Sequence, residues 1–231
     1  GVPSSKASIG GSKADLAPLE VRERLDRFST YHGEMEVDFG SVPVRDMGNW
    51  PVSELGMDAI TEKLEKLAVS LPKADLTLYL GGDNDITRPL VSALSDDLSS
   101  LGLITFDAHH DVRTLDLGPS NGAPVRGLIE EDGLPGPNVA QIGIHSFANS
   151  ATYRGYCDEA GVTTVTVGDV EKEGMANVVD AALSRLSAEG LVVLERYRRG
   201  CVAHFSARDV AEVFRLRGTL EGHAAGRAAL L

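Results

Sequence analysis

The chain has 231 residues, 42% of them hydrophobic, enough to bury one large core or two small ones. Its 34 acidic against 22 basic residues leave a net charge of −12, which argues against a broad electrostatic grip on nucleic acid or an anionic membrane surface. The expected partner is therefore a small molecule. No run of about 18 apolar residues is present to span a bilayer, and the opening GVPSSKASIGGSK lacks the apolar stretch of a secretory signal. A cytoplasmic location is expected, with no nucleic-acid or membrane partner. Cys157 and Cys201 are too few for a disulfide scaffold and have no CxxC neighbour, so both thiols read as structural.

Taken in chain order, apolar residues returning at three- and four-residue steps predict a helix over 16–28 and another over 57–71. A short apolar run predicts a strand at 76–80, followed by a helix over 88–98 and a strand at 103–106. A turn at Asn121-Gly122 with Pro124 predicts a helix around 126–129. Further strands are expected at 139–144, 162–167 and 191–194, with helices over 148–160 and 177–186. Nearly continuous apolar strands alternating with helices suit parallel strands buried on both faces, hence one doubly wound α/β sheet. Residues 191–231 break this pattern: they hold seven arginines, no lysine and only four acids, and the charge changes sign there. A basic, Ala-rich helix from residue 207 onward is the plain reading of that tail.

The segment richest in chemistry is Phe106-Asp107-Ala108-His109-His110-Asp111, directly after the run at 103–106. In an extended chain residues i, i+2 and i+4 share a side, so Asp107, His109 and Asp111 are expected to converge beyond the carboxyl end of a strand. Two ionised carboxylates crowded together repel, and a divalent cation removes the conflict; oxygen donors with one imidazole suit Mn²⁺ or Mg²⁺. The competing reading is a polar loop with a solvated acidic face. His110 would point to the opposite side, into the core or behind the site.

Two further segments flank it. Leu80-Gly81-Gly82-Asp83-Asn84-Asp85 follows a strand and opens a helix; taken by itself, Asp83 or Asn84 reads as a helix cap, and the segment matches neither a P-loop nor a dinucleotide fingerprint. Ser120-Asn121-Gly122-Ala123-Pro124 lies close enough to the acidic triplet for Asn121 to look into the same cleft. His145, after the strand at 139–144, lies at the end of the sheet from which it can face that cleft.

These three segments in this order resemble the ureohydrolase family, which includes arginases, agmatinases, guanidinobutyrases and formimidoylglutamases. Gly1-Val2-Pro3-Ser4-Ser5 is similar to the loop after that family's first strand, and Val139 to Ile144 to a central strand, so the resemblance covers about residues 1–190. Asn84, Asn121 and Phe147-Ala148-Asn149-Ser150 are most similar to formimidoylglutamase-like or agmatinase-like bacterial members. The resemblance implies a three-layer α/β/α sandwich around a mainly parallel sheet, incomplete at both ends of this chain. It implies two Mn²⁺ ions bridged by hydroxide, with Asp107 bridging, Asp111 on the first metal and His109 on the second. Asn84 stands where most members place a ligating histidine, and Asn121 where many carry a histidine near the substrate. By the same comparison Asp107 and His109 are the catalytic pair and Asn121 contacts substrate, joined by His145 from its place at the end of the sheet; the resemblance also allows a homo-oligomer, whose contacts the altered tail could break.

The implied activity is hydrolysis of a C–N bond in a small cationic guanidino or formimidoyl substrate. One expected feature is missing. Members carry an Asp-x-Asp pair after a later strand, where this chain reads Leu194-Glu195-Arg196-Tyr197. Without that pair one ion or none is the reduced expectation, and a non-catalytic relative is the alternative reading. Residues 1–231 are expected to form one domain with 191–231 divergent, and a disrupted reading frame near 195–205 is one explanation. Glu195 is the nearest carboxylate to the missing pair; His204 and His223 have no partner at ligand spacing.

Overall fold

The apolar run Val139–Ile144 forms the middle of a three-stranded parallel sheet, and the rest of the fold is arranged about it. The structure, a computed structural model, describes residues 1–188. Its elements in chain order are α1 (Ala17–Leu25), β1 (Tyr31–His32), β2 (Val37–Asp38), α2 (Met57–Val69), α3 (Thr87–Ser92), β3 (Leu103–Phe106), α4 (Pro124–Glu130), β4 (Val139–Ile144), α5 (Ala151–Ala160), β5 (Thr163–Thr166), α6 (Val167–Glu173) and α7 (Met175–Ala188). The sheet order is β3-β4-β5, with Leu103 opposite Val139 and Ala140 opposite Thr163.

Alternation along β4 explains the layers. Ala140 and Ile142 pack against Val178, Val179 and Ala182 of α7 on one side. Val139 faces the other side, toward Leu128 of α4, Cys157 of α5 and Val162. The result is α/β/α, as the alternation of elements predicts. A further cluster seats α2 and α3 on the opening loop through Val2, Val52, Ile60, Leu64 and Leu90. Trp50 joins it, meeting Tyr79 edge to face at 5.8 Å between ring centres.

Local chemistry sets the helix ends. Ser150 accepts from the Tyr153 N–H and starts α5, which stops at Gly161 with φ 80°, a left-handed conformation that glycine adopts without penalty. Thr166 and Asp169 form a capping box that opens α6 directly at the end of β5. Arg88 of α3 makes a two-pronged contact to Asp132, 2.8 Å from each oxygen, and ties α3 to the end of α4.

Three expectations are corrected. The run at 76–80 is extended but forms no strand among the described residues: Leu80 O accepts from the Val2 N–H at 2.8 Å, while Leu76 and Leu78 are 58% and 78% exposed. A cavity of about 900 Å³, lined by Leu78, Leu80, Leu103, Thr105, Leu25 and Phe28, lies between this run and β3, so the two do not pair. The helix expected over 88–98 stops at Ser92, because Ser95 and Asp97 bind nearby backbone groups and favour turns. The strand expected over 162–167 ends at Thr166, where the capping box takes over. The β1-β2 hairpin and α6 add to the expected elements, and the expectations at 191–194, Glu195, Cys201, His204, 207 onward and His223 lie outside the described residues.

Leu128 is fully buried at the heart of the larger core cluster. Leu128→Ala is expected to lower unfolding free energy by about 2–5 kcal/mol, measured by urea denaturation. Cys157 is wholly buried, and burial pushes its thiol up to about 11. Iodoacetamide at pH 8 should therefore spare Cys157 in the native protein and label it after unfolding, as read by peptide mass mapping.

Candidate metal centre

β3 delivers Asp107 to the carboxyl end of the sheet, where its N–H still bonds Ile142 O at 3.2 Å. Beyond it the chain turns. Asp111 has φ 53°, in the left-handed region that disfavours a side chain with Cβ, at a cost of about 1–2 kcal/mol. The extended-chain geometry therefore ends at Asp107, and a turn, not alternation, brings Asp111 back toward it. The Asp111 main-chain oxygen accepts from the Val125 and Arg126 N–H groups at 3.2 and 3.4 Å, which secures the turn to the start of α4.

Asp107 Oδ1 accepts from the His109 N–H at 2.9 Å and lies 3.3 Å from His109 Nδ1. The His109 ring itself is 60% exposed. Asp111 is enclosed: burial, then the Asp107 charge, push its carboxyl up to about 8 against the opposing pull of the Asn84 bond and Arg113. His110 is buried beneath the turn, on the side the alternation predicts.

Asn84 donates through Nδ2 to Asp111 Oδ2 at 2.6 Å, while its Oδ1 accepts from the Thr87 hydroxyl at 2.9 Å. Gly82 is what lets this segment approach the opening loop, because a Cβ there would lie 1.8 Å from Ser4 O. Asp83 occupies the N-cap position but makes no side-chain cap bond; it accepts from the Ala7 N–H at 2.8 Å, which corrects the cap reading. Burial raises the Asp83 carboxyl, and burial followed by the Asp83 charge pushes Asp85 up to about 6. Asn121 is held by its N–H to Ala7 O at 3.1 Å, and its side-chain Oδ1 is buried without a hydrogen-bond partner. His145 donates its N–H to Ala108 O at 3.1 Å, and its residue is exposed.

The structure thus brings Asp107, Asp111 and Asn84 together, sets His109 beside Asp107, and places Asn121 and His145 on neighbouring backbone. Among the described residues no three His, Cys, Asp or Glu side chains stand together as a metal-holding group. Asn84, between Asp111 and Thr87, presents its nitrogen to the Asp111 carboxyl. The donor chemistry nevertheless fits a hard divalent ion: two crowded carboxylates with one imidazole beside them, flanked by an Asn84 amide that turns its nitrogen to Asp111 and keeps its oxygen on Thr87. Gln141 and Asn149, which grip the turn from behind, were not among the expected site residues. A glutamine inside an otherwise apolar strand was the available signal, because a buried amide must find partners.

The chain belongs to the Arginase family, whose model matches residues 1–194. It is 36% identical over 190 residues to a formimidoylglutamase of Halalkalibacterium halodurans, an overlap covering 80% of this chain and 60% of that protein. The crystal structure of formimidoylglutamase from Bacillus subtilis superposes with a TM-score of 0.76 at 31% identity, over 81% of this chain and 60% of the other. The chain therefore spans about 60% of the length of these relatives. The fold is shared also with Trypanosoma cruzi formiminoglutamase solved with Mn²⁺, at a TM-score of 0.68 and 23% identity, over 80% of this chain and 64% of that one.

A carboxyl raised in the folded state binds a proton that the unfolded chain has already lost, so its stabilising contribution is present at low pH and is lost as pH rises through about 8. Metal-free protein should lose stability between about pH 4 and pH 8, and Asp111→Asn should flatten that slope in urea titrations across the range.

Proposed function

We propose that this chain carries the amidine-hydrolysing site of a formimidoylglutamase-type enzyme, with Mn²⁺ held by Asp107, His109, Asp111 and Asn84. The observation that supports it is the pair of carboxylates in one cleft at the end of β3, where the half-buried Asp111 lies against the Asp107 charge and takes a 2.6 Å bond from Asn84. Manganese, two ions in the full reading, would when bound supply hydroxide at neutral pH and Lewis acidity toward the planar amidine carbon. The chain's own groups do the rest. His109 Nδ1 lies 3.3 Å from Asp107 Oδ1, so the imidazole and that carboxylate can face one ion. Asp111 must give up its proton on metal binding, so binding releases acid near neutral pH.

Asn121 Oδ1, buried without a partner, is an acceptor for an amidine N–H of the substrate. His145, exposed and directly after β4 at the same end of the sheet, is the candidate contact for the rest of the substrate. A cationic amidinium head group is favoured by the two carboxylates. Substrate thus belongs to the small linear amidines.

A non-catalytic relative is the second reading. It is favoured by the missing Asp-x-Asp pair after residue 193 and by the incomplete grouping of ligands among the described residues. Purified protein supplied with Mn²⁺ should release formamide from formimidoylglutamate, faster than it releases urea from arginine, agmatine or guanidinobutyrate. Asp107→Ala should reduce that turnover to background. Tight Mn²⁺ binding with no turnover of any of the four would establish the second reading in place of the first.

A further inference from the structure

Gln141 lies in the middle of β4, opposite Thr105 on one side and Thr164 on the other, and is completely buried. A carboxamide there costs several kcal/mol in the absence of partners, on the order of 2–7, and its side-chain bonds go to His110 and to the Cys157 thiol. Nε2 donates to the main-chain oxygen of His110 at 2.7 Å, and Oε1 lies 2.6 Å from His110 Nδ1, with the Cys157 thiol 3.7 Å away on the same oxygen. The orientation is forced by elimination. A carbonyl oxygen can only accept, so Nε2 must face it; Oε1 then faces the ring, and the ring must carry its proton on Nδ1. Gln141 therefore holds His110 by ring and backbone at once.

A second amide grips the same turn from the other side. Asn149 Oδ1 accepts from the His110 N–H at 2.9 Å, and Asn149 Nδ2 donates to Ala108 O at 2.9 Å. Ala108 O also accepts from the His145 N–H at 3.1 Å. The backbone flanking His109 is thus bound at Ala108 O, His110 N and His110 O, with both amides supplied by β4 or the loop after it. Neither amide touches Asp107, His109 or Asp111 directly.

We infer that Gln141 and Asn149 are positioning residues which hold the 107–111 turn in the shape that presents its side chains to a metal. The inference rests on the metal-binding reading, and deepens it by naming what orients the ligands. Groups behind the ligands typically alter metal affinity 10- to 100-fold when lost.

The test compares wild type, Asn149→Ala, Asn149→Asp and Gln141→Leu, each as the full chain. One measurement is amide hydrogen exchange of residues 108–110 in metal-free protein; the other is Mn²⁺ affinity from titration of the free-ion electron paramagnetic resonance signal. Asn149→Ala should speed exchange of the His110 amide at least about tenfold and weaken Mn²⁺ binding about 10- to 100-fold. Asn149→Asp keeps an acceptor for that amide, and should restore its protection. Gln141 sits in the core, so if its variant does not fold the Asn149 pair decides the matter. Unchanged exchange overturns the inference, as does faster exchange with unchanged Mn²⁺ affinity. Absence of Mn²⁺ binding by the wild type would sink the metal reading instead, and exchange alone then judges the grip on the turn: faster supports it, unchanged rejects it.

Discussion

A carboxylate removed from water beside another carboxylate is costly, and the local structure around Asp111 is built to bear that cost. Burial and the Asp107 charge push Asp111 toward its neutral form, and the Asn84 amide opposes them with a single short bond. The turn that creates this crowding is itself unfavourable, because Asp111 occupies a left-handed conformation. Two α4 N–H groups on its carbonyl and two amides behind His110 keep it there. These supports hold two carboxylates close together at the end of β3.

The sheet and the opening loop serve that cluster from opposite directions. β4 supplies Gln141 from below and, through the loop that follows it, Asn149 from the side. Residues 2–7 cross the front, bonded to Leu80 O, to Asp83 and to the Asn121 N–H. Gly82 permits this crossing, since a side chain at that position would collide with Ser4. The opening loop thus couples the glycine segment to the turn at Asn121, two pieces of chain 37 residues apart that meet through Asn84 Nδ2 and Asn121 O.

Much of the site was legible in the residues before any coordinates. Asp107, Asp111 and Asn84 stand out because carboxylates and an amide directly after apolar runs are hard to explain as core, and the spacing to Asn121 agrees. The geometry that joins them was less legible. Alternation places His109 with the two aspartates, whereas the left-handed turn leaves its ring exposed and near Asp107 alone. Asp83 looked like a cap, yet it ties down Ala7, because a contact across 76 residues of sequence leaves no local signature.

Order in the chain determined the α/β alternation, the β4 boundaries at Val139 and Ile144, and the identity of the candidate site side chains, because periodicity and residue chemistry are local properties. Tertiary structure alone decided that residues 76–80 remain extended without forming a strand, since a strand exists only when a neighbour bonds to it, and Val2 supplies one bond while a cavity lies on the side toward β3. It also decided what Gln141 is for. A glutamine in an apolar run announces that it needs partners, but only the folded chain brings His110 within 2.7 Å and so turns a buried amide into the support of the turn.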